Sequence, residues 1–208
     1  MVIQIRGTSG SGKSYCVYNL LNKLDGTTLT KDGKIQGYKL SHPTRGPAIY
    51  ALGKYETACG GCDTIKTQDD LCDRARRWAK KGSVVFEGLL CSNIFQRYVD
   101  LSHNIGGLTW AFMDTPLSIS IARVAQRRVA RGNTKPLNPA NTTNKHVQTH
   151  QAATKALEAG ELVIYLDHKR AADQVFEMLT KGTLDGKPPK AGYRYDEGRK
   201  IALGGTTK

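Results

Sequence analysis

Long apolar runs are absent from the sequence. None approaches the ~20 residues that are needed to cross a bilayer, and Met1 leads directly into the alternating run Val2–Arg6 instead of a charged and then apolar leader. Five cysteines are present, namely Cys16, Cys59, Cys62, Cys72 and Cys91. An odd number of cysteines without an export leader does not suit a disulfide framework. We therefore expect a cytoplasmic protein with no membrane contact and with reduced thiols.

Acidic residues are scarce. The chain of 208 residues has 18 Asp and Glu against 31 Lys and Arg, which gives a formal net charge of +13 and a pI near 9.6. Such a charge attracts polyanions and raises the rate of encounter with them. Nucleic acid fits this charge as a partner, but so does an enzyme whose substrates are small anions. Composition alone leaves the two interpretations open.

A glycine-rich loop follows the first predicted strand. Its residues are Gly7, Thr8, Ser9, Gly10, Ser11, Gly12, Lys13 and Ser14. They match the phosphate-binding pattern of two glycines separated by four residues and followed by Lys and Ser, between a strand and a helix. Backbone N–H groups would bind the phosphates of ATP, Lys13 would reach the β- and γ-phosphates, and the Ser14 hydroxyl would ligate Mg²⁺. The loop therefore predicts nucleotide binding.

Short apolar runs alternate with helical patterns along the chain. The predicted strands are 2–6, 35–40, 48–55, 83–87, 108–113 and 161–166, and the predicted helices are 14–24, 68–81, 94–105, 117–131, 145–159 and 170–179. Strands that alternate with helices favour a parallel sheet covered on both faces. The fold prediction is a three-layer α/β sandwich of the P-loop NTPase type, with a small β insertion at about residues 26–66.

Glu87 ends the predicted central strand 83–87, at the sheet edge where ligands bind in open α/β folds. It would organise a water on Mg²⁺ or accept the proton of the substrate. Further along, Arg123, Arg127 and Arg131 recur at i+4 steps and share one helical face, and residues 115–157 contain no acidic residue. We expect an arginine-bearing lid at about residues 123–145 that closes over a triphosphate, with a nucleic-acid surface as the rival interpretation.

The order of these motifs resembles the nucleotide and small-molecule kinases of the P-loop class. The glycine-rich loop, a strand ending in Phe-Glu-Gly, a strand ending in Asp-Thr-Pro and the arginine helix carry this resemblance over about residues 1–180. It implies ATP and Mg²⁺ as cofactors. It also implies that Arg123, Arg127 and Arg131, and less directly Arg128, contact ATP and the transferred phosphoryl group. Residues 181–208 form a basic C-terminal extension beyond the predicted kinase domain.

The segment between the second and third core strands is expected to hold the phosphate acceptor. Tyr50 and Tyr55 would stack on a base, Gly60 and Gly61 would let the backbone approach a ligand, and Asp63 is a second candidate for the general base. Core tyrosines and a plain turn are the alternative interpretation. The choice between Glu87 and Asp63 as base stays open.

Cys59 and Cys62 are spaced as half of a zinc site that Cys72 and Cys91 would complete. The second pair lacks the tight spacing of known zinc modules, so we expect buried thiols rather than zinc.

The stretches Gly-Lys-Tyr-Glu (53–56) and Gly-Gly-Cys-Asp-Thr-Ile (60–65), together with the basic extension, are similar to bacteriophage P-loop kinases. Those enzymes phosphorylate 5-hydroxymethyluracil in DNA during thymine hypermodification. The resemblance implies DNA as substrate and, for a phage protein, the host cytoplasm. The alternatives are a kinase for a free nucleotide, nucleoside or small metabolite, and a nucleotide-regulated DNA-binding ATPase.

Overall fold

The protein is described by a computed structural model over residues 1–56, 60–92, 94–133 and 135–190. In these ranges one sheet has seven strands in the order β2-β3-β4-β5-β1-β6-β7. The strands are β1 (Val2–Arg6), β2 (Gly26–Lys31), β3 (Lys34–Leu40), β4 (Ile49–Leu52), β5 (Ser83–Glu87), β6 (Thr109–Asp114) and β7 (Leu162–Asp167). Strands β4, β5, β1, β6 and β7 run parallel, whereas β2, β3 and β4 pair antiparallel.

Helices lie on both faces of this sheet. They are α1 (Lys13–Lys23), α2 (Gln68–Ala79), α3 (Leu89–Ser92), α4 (Gln96–Ile105), α5 (Leu117–Ala130), α6 (Ala140–Glu158) and α7 (Ala171–Lys181). The Thr67 hydroxyl accepts a hydrogen bond from the backbone N–H of Asp70 (3.1 Å) and so caps the N-terminus of α2. Among the described residues, none of the helices is both long and apolar enough to span a membrane.

Two apolar cores lie on opposite faces of the sheet. Successive side chains of β5 alternate between them: Val84 and Phe86 pack with α2, α4 and α6, while Val85 packs with α1 and α7. All three side chains are fully buried. The expected α/β architecture with a mostly parallel, doubly covered sheet is therefore confirmed, because both faces of the central strands are apolar.

The antiparallel side of the sheet is larger than predicted. The predicted pair of strands 35–40 and 48–55 is present as β3 and β4. The structure adds β2, which pairs with β3 through a turn at Asp32 and Gly33, both with positive φ (52° and 69°). An Asp-Gly pair is a common hairpin turn, and it is the sequence feature that identifies this strand. The β insertion thus extends the central sheet.

Two further boundaries differ from the prediction. Helix α6 begins at Ala140 and not at 145, because the Asn138 carboxamide oxygen accepts the Ala140 N–H (2.9 Å) at its first turn. The loop between α5 and α6 is correspondingly shorter. At the other end, Leu184 is buried against the α1–α7 core and bridges to Lys187, so the described part of the predicted extension is docked. Residues 191–208 of that extension lie outside the described residues.

Candidate active site

Strands β1 and β5 end side by side, and this brings the glycine-rich loop to Glu87. The two strands pair in parallel with Ile5 opposite Glu87, and the loop begins directly after β1. Gly10 has a φ of 79°, and a Cβ there would lie 2.3 Å from the backbone oxygen of Ser120. Only glycine fits such a position. Gly12 caps α1 in the left-handed region, so the loop leads into the N-terminus of that helix.

Hydrogen bonds from neighbouring elements hold the loop. The Thr115 hydroxyl donates to the Ser11 carbonyl (2.8 Å), and the Thr8 hydroxyl donates to the carbonyl of Thr142 in α6 (3.0 Å). The Gly7 N–H donates to the Ser92 hydroxyl in α3 (3.3 Å). The loop is therefore fixed from β6, α6 and α3 at once.

Lys13 lies buried at the start of α1, with 7% of its surface exposed. Its ammonium donates to the carbonyls of Gly7 (2.8 Å) and Thr8 (3.0 Å) within its own loop. Burial lowers the pKa of Lys13, while the negative charges of Glu87 and Asp63 act in the opposite direction. The ammonium is thus held in the loop beside two carboxylates.

Glu87 is the buried carboxylate of the site, with 2% of its surface exposed. The Ser14 hydroxyl donates to its Oε1 (2.9 Å). Burial raises the pKa of Glu87, and the charge of Lys13 and the hydrogen bond from Ser14 counteract this rise. Gly61 packs directly against Glu87, because a Cβ on Gly61 would lie 2.2 Å from Oε1. The glycine predicted to admit a ligand therefore makes room for this carboxylate.

Asp63 differs from Glu87 in its surroundings. Its side chain is exposed, and its two oxygens accept the backbone N–H groups of Leu89 (2.9 Å) and Leu90 (3.1 Å). It therefore caps the short helix α3, and it also borders the same cleft as Glu87.

The cleft between these groups has a volume of about 340 Å³. Its lining residues come from the loop, the start of α1, the 60–63 segment, the end of β5, α3 and α5: Ser9, Gly10, Gly12, Lys13, Ser14, Tyr15, Gly60, Asp63, Glu87, Leu89, Arg123 and Arg127. Five of the eight predicted nucleotide-binding residues and both candidate bases thus border one space.

The three arginines of α5 and Arg131 at its C-terminus are not equivalent. Arg123 and Arg127 line the cleft, and the Arg123 guanidinium donates to the Gly10 carbonyl (3.3 Å). Arg131 caps the C-terminus of α5 one turn further on and does not line the cleft. Arg128 donates to the side-chain oxygen of Asn133 (3.2 Å) and to the carbonyl of Lys135 (3.4 Å), which anchors the following loop. The face predicted to carry three site arginines brings two of them to the cleft.

The aromatic residues at the site are also not those that the sequence suggested. Tyr50 is buried in β4 and packs on Trp78 (ring centroids 5.5 Å apart), which does not support a role in base stacking. Tyr55 is buried against Tyr18 (5.7 Å) and near Glu87. Tyr15 lines the cleft and is 66% exposed. Its position directly after Ser14, outside the buried face of α1, is the sequence feature that identifies it.

Arg6 is a second residue that the sequence reasoning missed. It is fully buried at the end of β1, with its guanidinium 3.9 Å from the Trp110 ring centroid. It donates to the carbonyls of Ser92 (3.2 Å) and Ile94 (2.8 Å), and burial lowers its pKa to about 10. Arg6 thereby ties the end of α3 to the strand that carries the loop.

Three of the cysteines considered for zinc are buried thiols, as expected: Cys62, Cys72 and Cys91. Burial raises the pKa of Cys91 to about 11. Cys59 lies outside the described residues.

Comparisons with known proteins identify relatives of this chain. A sequence model of the family described as 5-hmdU DNA kinase matches residues 2–162. The 5-hmdU DNA kinase of Pseudomonas phage PaMx11 is 38% identical over 183 residues, which cover 86% of this chain and 96% of the relative. The protein of that name from Pseudomonas phage M6 is 31% identical (77% and 88% covered), and that from Delftia phage PhiW-14 is 27% identical (90% and 78% covered). No solved structure matches the chain significantly.

Proposed function

The chain belongs to the 5-hmdU DNA kinase family, and from this premise we propose how its residues transfer a phosphoryl group. The donor is ATP, the acceptor is the hydroxymethyl group of 5-hydroxymethyluracil in DNA, and transfer takes place in the cleft between Lys13, Glu87 and Arg127. In this proposal residues 1–180 form a P-loop kinase domain with a lid at about 123–145, and residues 181–208 extend it.

The observation that carries the proposal is the cluster of Lys13, Ser14 and Glu87 in one cleft. The Ser14 hydroxyl oxygen lies 2.9 Å from Oε1 of Glu87. The loop backbone and the N-terminus of α1 suit the phosphates of ATP. Lys13 would release the loop carbonyls and bind the β- and γ-phosphates. Desolvation inside the cleft strengthens each of these interactions.

The site also fits Mg²⁺, because hydroxyl and carboxylate oxygens are ligands that this ion prefers. The Ser14 hydroxyl points its hydrogen at Glu87, so the lone pairs of its oxygen are directed away from that carboxylate. Ser14 would therefore hold the ion, with Glu87 orienting Ser14. When bound, Mg²⁺ neutralises the charge that develops on the β- and γ-phosphates.

Glu87 is the general base in this proposal. Its raised pKa lies closer to neutral pH, so its carboxylate is a better proton acceptor than that of an ordinary glutamate. The acceptor is a primary alcohol, so Glu87 needs only to orient its oxygen and take its proton. Asp63 is assigned to positioning, because both of its oxygens already accept backbone hydrogen bonds from α3.

Arg123 and Arg127 stabilise the transferred phosphoryl group from the α5 side of the cleft. Tyr15 also lines the cleft, and its exposed ring offers a surface on which a base can stack. A base buried in the duplex cannot reach Glu87, so the acceptor nucleotide has to leave the stack before transfer.

The test is a transfer assay with γ-labelled ATP, Mg²⁺ and duplex DNA that contains either 5-hydroxymethyluracil or thymine. We expect label in the modified DNA only, and none after chelation of the metal. A parallel reaction offers the free 5-hydroxymethyluracil nucleoside, and label that appears only there would indicate a small-molecule kinase. Free phosphate released with no labelled acceptor would indicate a DNA-dependent ATPase.

A further inference from the structure

A second cleft adjoins the first, and we propose that it binds phosphodiester groups of the DNA strand that flank the acceptor nucleotide. The inference rests on the proposed function and names how that substrate is held. The second cleft has a volume of about 370 Å³ and lies between the glycine-rich loop, α3, α5 and the start of α6. It shares Ser9 and Leu89 with the first cleft, so the two clefts are neighbours.

The charged residues of the second cleft have one sign. Arg128, Lys135 and Lys145 line it, and no acidic side chain is found among its described lining residues. Asn138 and Asn141 add carboxamide groups that can donate to phosphate oxygens. An ordinary solvated surface mixes positive and negative side chains. The concentration of cations in a concave site therefore points to an anion.

Hydrogen bonds hold the segments that carry these cations. Arg128 holds the Lys135 segment through its hydrogen bonds to Asn133 and to the Lys135 carbonyl. Helix α6, which carries Lys145, is tied to the glycine-rich loop through the bond from Thr8 to the Thr142 carbonyl (3.0 Å). An anion bound in the second cleft is thus positioned with respect to the loop.

The anion is a DNA phosphate rather than a phosphate of ATP for a geometric reason. Lys13, Ser14, Glu87, Arg123 and Arg127, which suit the triphosphate and the reaction, all line the first cleft and none of them lines the second. In a nucleotide, the sugar stands between the backbone phosphates and the base, so the group on C5 and the phosphates cannot occupy one point. A nucleotide whose hydroxymethyl group reaches Glu87 must place its phosphates in a neighbouring space. Pro136 and Leu137 also line the second cleft, where they offer apolar contact for the sugar of the nucleotide.

The test is the double substitution Lys135→Gln with Lys145→Gln, because both residues lie outside the groups assigned to catalysis. Equilibrium binding to a duplex with one 5-hydroxymethyluracil is measured by fluorescence anisotropy without ATP at several salt concentrations. We expect affinity at ~0.15 M salt to fall about tenfold and the slope of log K against log salt to fall by about two, one per lost phosphate contact. In the transfer assay the KM for DNA should rise, while kcat and the KM for ATP stay within about twofold.

The matched control is Lys39→Gln with Lys155→Gln, which removes the same charge from two exposed positions away from both clefts. If this control loses as much affinity for DNA as the test variant, the effect comes from net charge alone, and the proposed phosphate site is overturned. Unchanged DNA affinity and salt slope in the test variant would also overturn it, as would a rise in the KM for ATP. Lys135→Arg with Lys145→Arg should restore binding, which separates a lost contact from misfolding. Wild-type protein that binds DNA but transfers no label would count against the proposed function and leave the binding measurement valid.

Discussion

The two sides of the active-site cleft are built differently. The strand side carries Glu87 at the end of β5 and, beyond the loop that follows β1, Lys13 and Ser14 at the start of α1; Lys13 and Glu87 are 7% and 2% exposed. The helix side carries Arg123 on α5, which is exposed, and continues into the second cleft. Buried charges interact strongly and are fixed by the sheet, whereas exposed cations attract polyanions and are screened by salt.

This difference assigns chemistry to the strand side and DNA binding to the second cleft on the helix side. Substitutions on the strand side should therefore lower kcat, and those in the second cleft should raise the KM for DNA. Arg127 and Asp63 lie between the two sides. Substitutions of these residues therefore test to which side each of them belongs.

The largest effect is expected for Lys13→Ala. The substitution removes a desolvated positive charge from the site of phosphoryl transfer, so kcat should fall by about 10³-fold or more. The fold should persist, since Lys13 donates only to carbonyls of its own loop. The measurement is the transfer assay together with circular dichroism. A folded variant that keeps its turnover would refute the assignment of the loop.

Glu87→Gln should lower kcat by about 10²- to 10³-fold, because the amide cannot accept the proton of the alcohol. The pH profile of the wild type sharpens this prediction. A base works in its ionised form, and burial raises the pKa of Glu87 above the ordinary 4.5. Activity should therefore be lost as the pH falls through this raised value, at a higher pH than for an ordinary glutamate.

The control for this prediction is the profile of the variant. Its residual activity should lack the acid limb. If the loss of activity at low pH persists unchanged in Glu87→Gln, the group that titrates is not Glu87.

Arg127→Ala is expected to slow transfer by about 10²-fold, because Arg127 lines the cleft beside Lys13. Arg131→Ala is the matched control on the same helix, and its effect should stay within a fewfold, since Arg131 lies one turn beyond the cleft. Both variants are compared by kcat and by the affinity for DNA. If Arg127→Ala weakens DNA binding and leaves kcat unchanged, the whole of α5 belongs to the binding side.

The strand side was the part of the site that the sequence predicted best. The spacing of the loop is local, so Lys13 and Ser14 follow from the pattern alone. Glu87 follows from the parallel sheet, since neighbouring strands end at one edge and the register sets Glu87 beside the start of the loop. The geometry of the loop is thus set by a short stretch of chain, and that of Glu87 by the common edge of the parallel strands.

The acceptor side was predicted less well, for two physical reasons. A four-residue strand such as β4 gives no periodicity that tells which side chains face the core, so the sequence leaves Tyr50 open between the cleft and the core and does not single out Tyr15. Helix α3 has four residues, too few for a helical pattern, and it depends on the distant Asp63 for its cap. The role of Asp63 is therefore set by tertiary contacts.

The smallest catalytic effect is expected for Asp63. Asp63→Ala removes the acceptors of the Leu89 and Leu90 N–H groups, so unfolding should require about 1 kcal/mol less free energy. Asp63→Asn keeps one acceptor oxygen and should retain most of this stability. The measurements are urea unfolding and kcat, and kcat should change by only a fewfold in the Asn variant because Glu87 takes the proton. A stable Asp63→Asn protein whose kcat falls as far as that of Glu87→Gln would make Asp63 the base, and the chemistry would then extend across the border to the exposed side of the cleft.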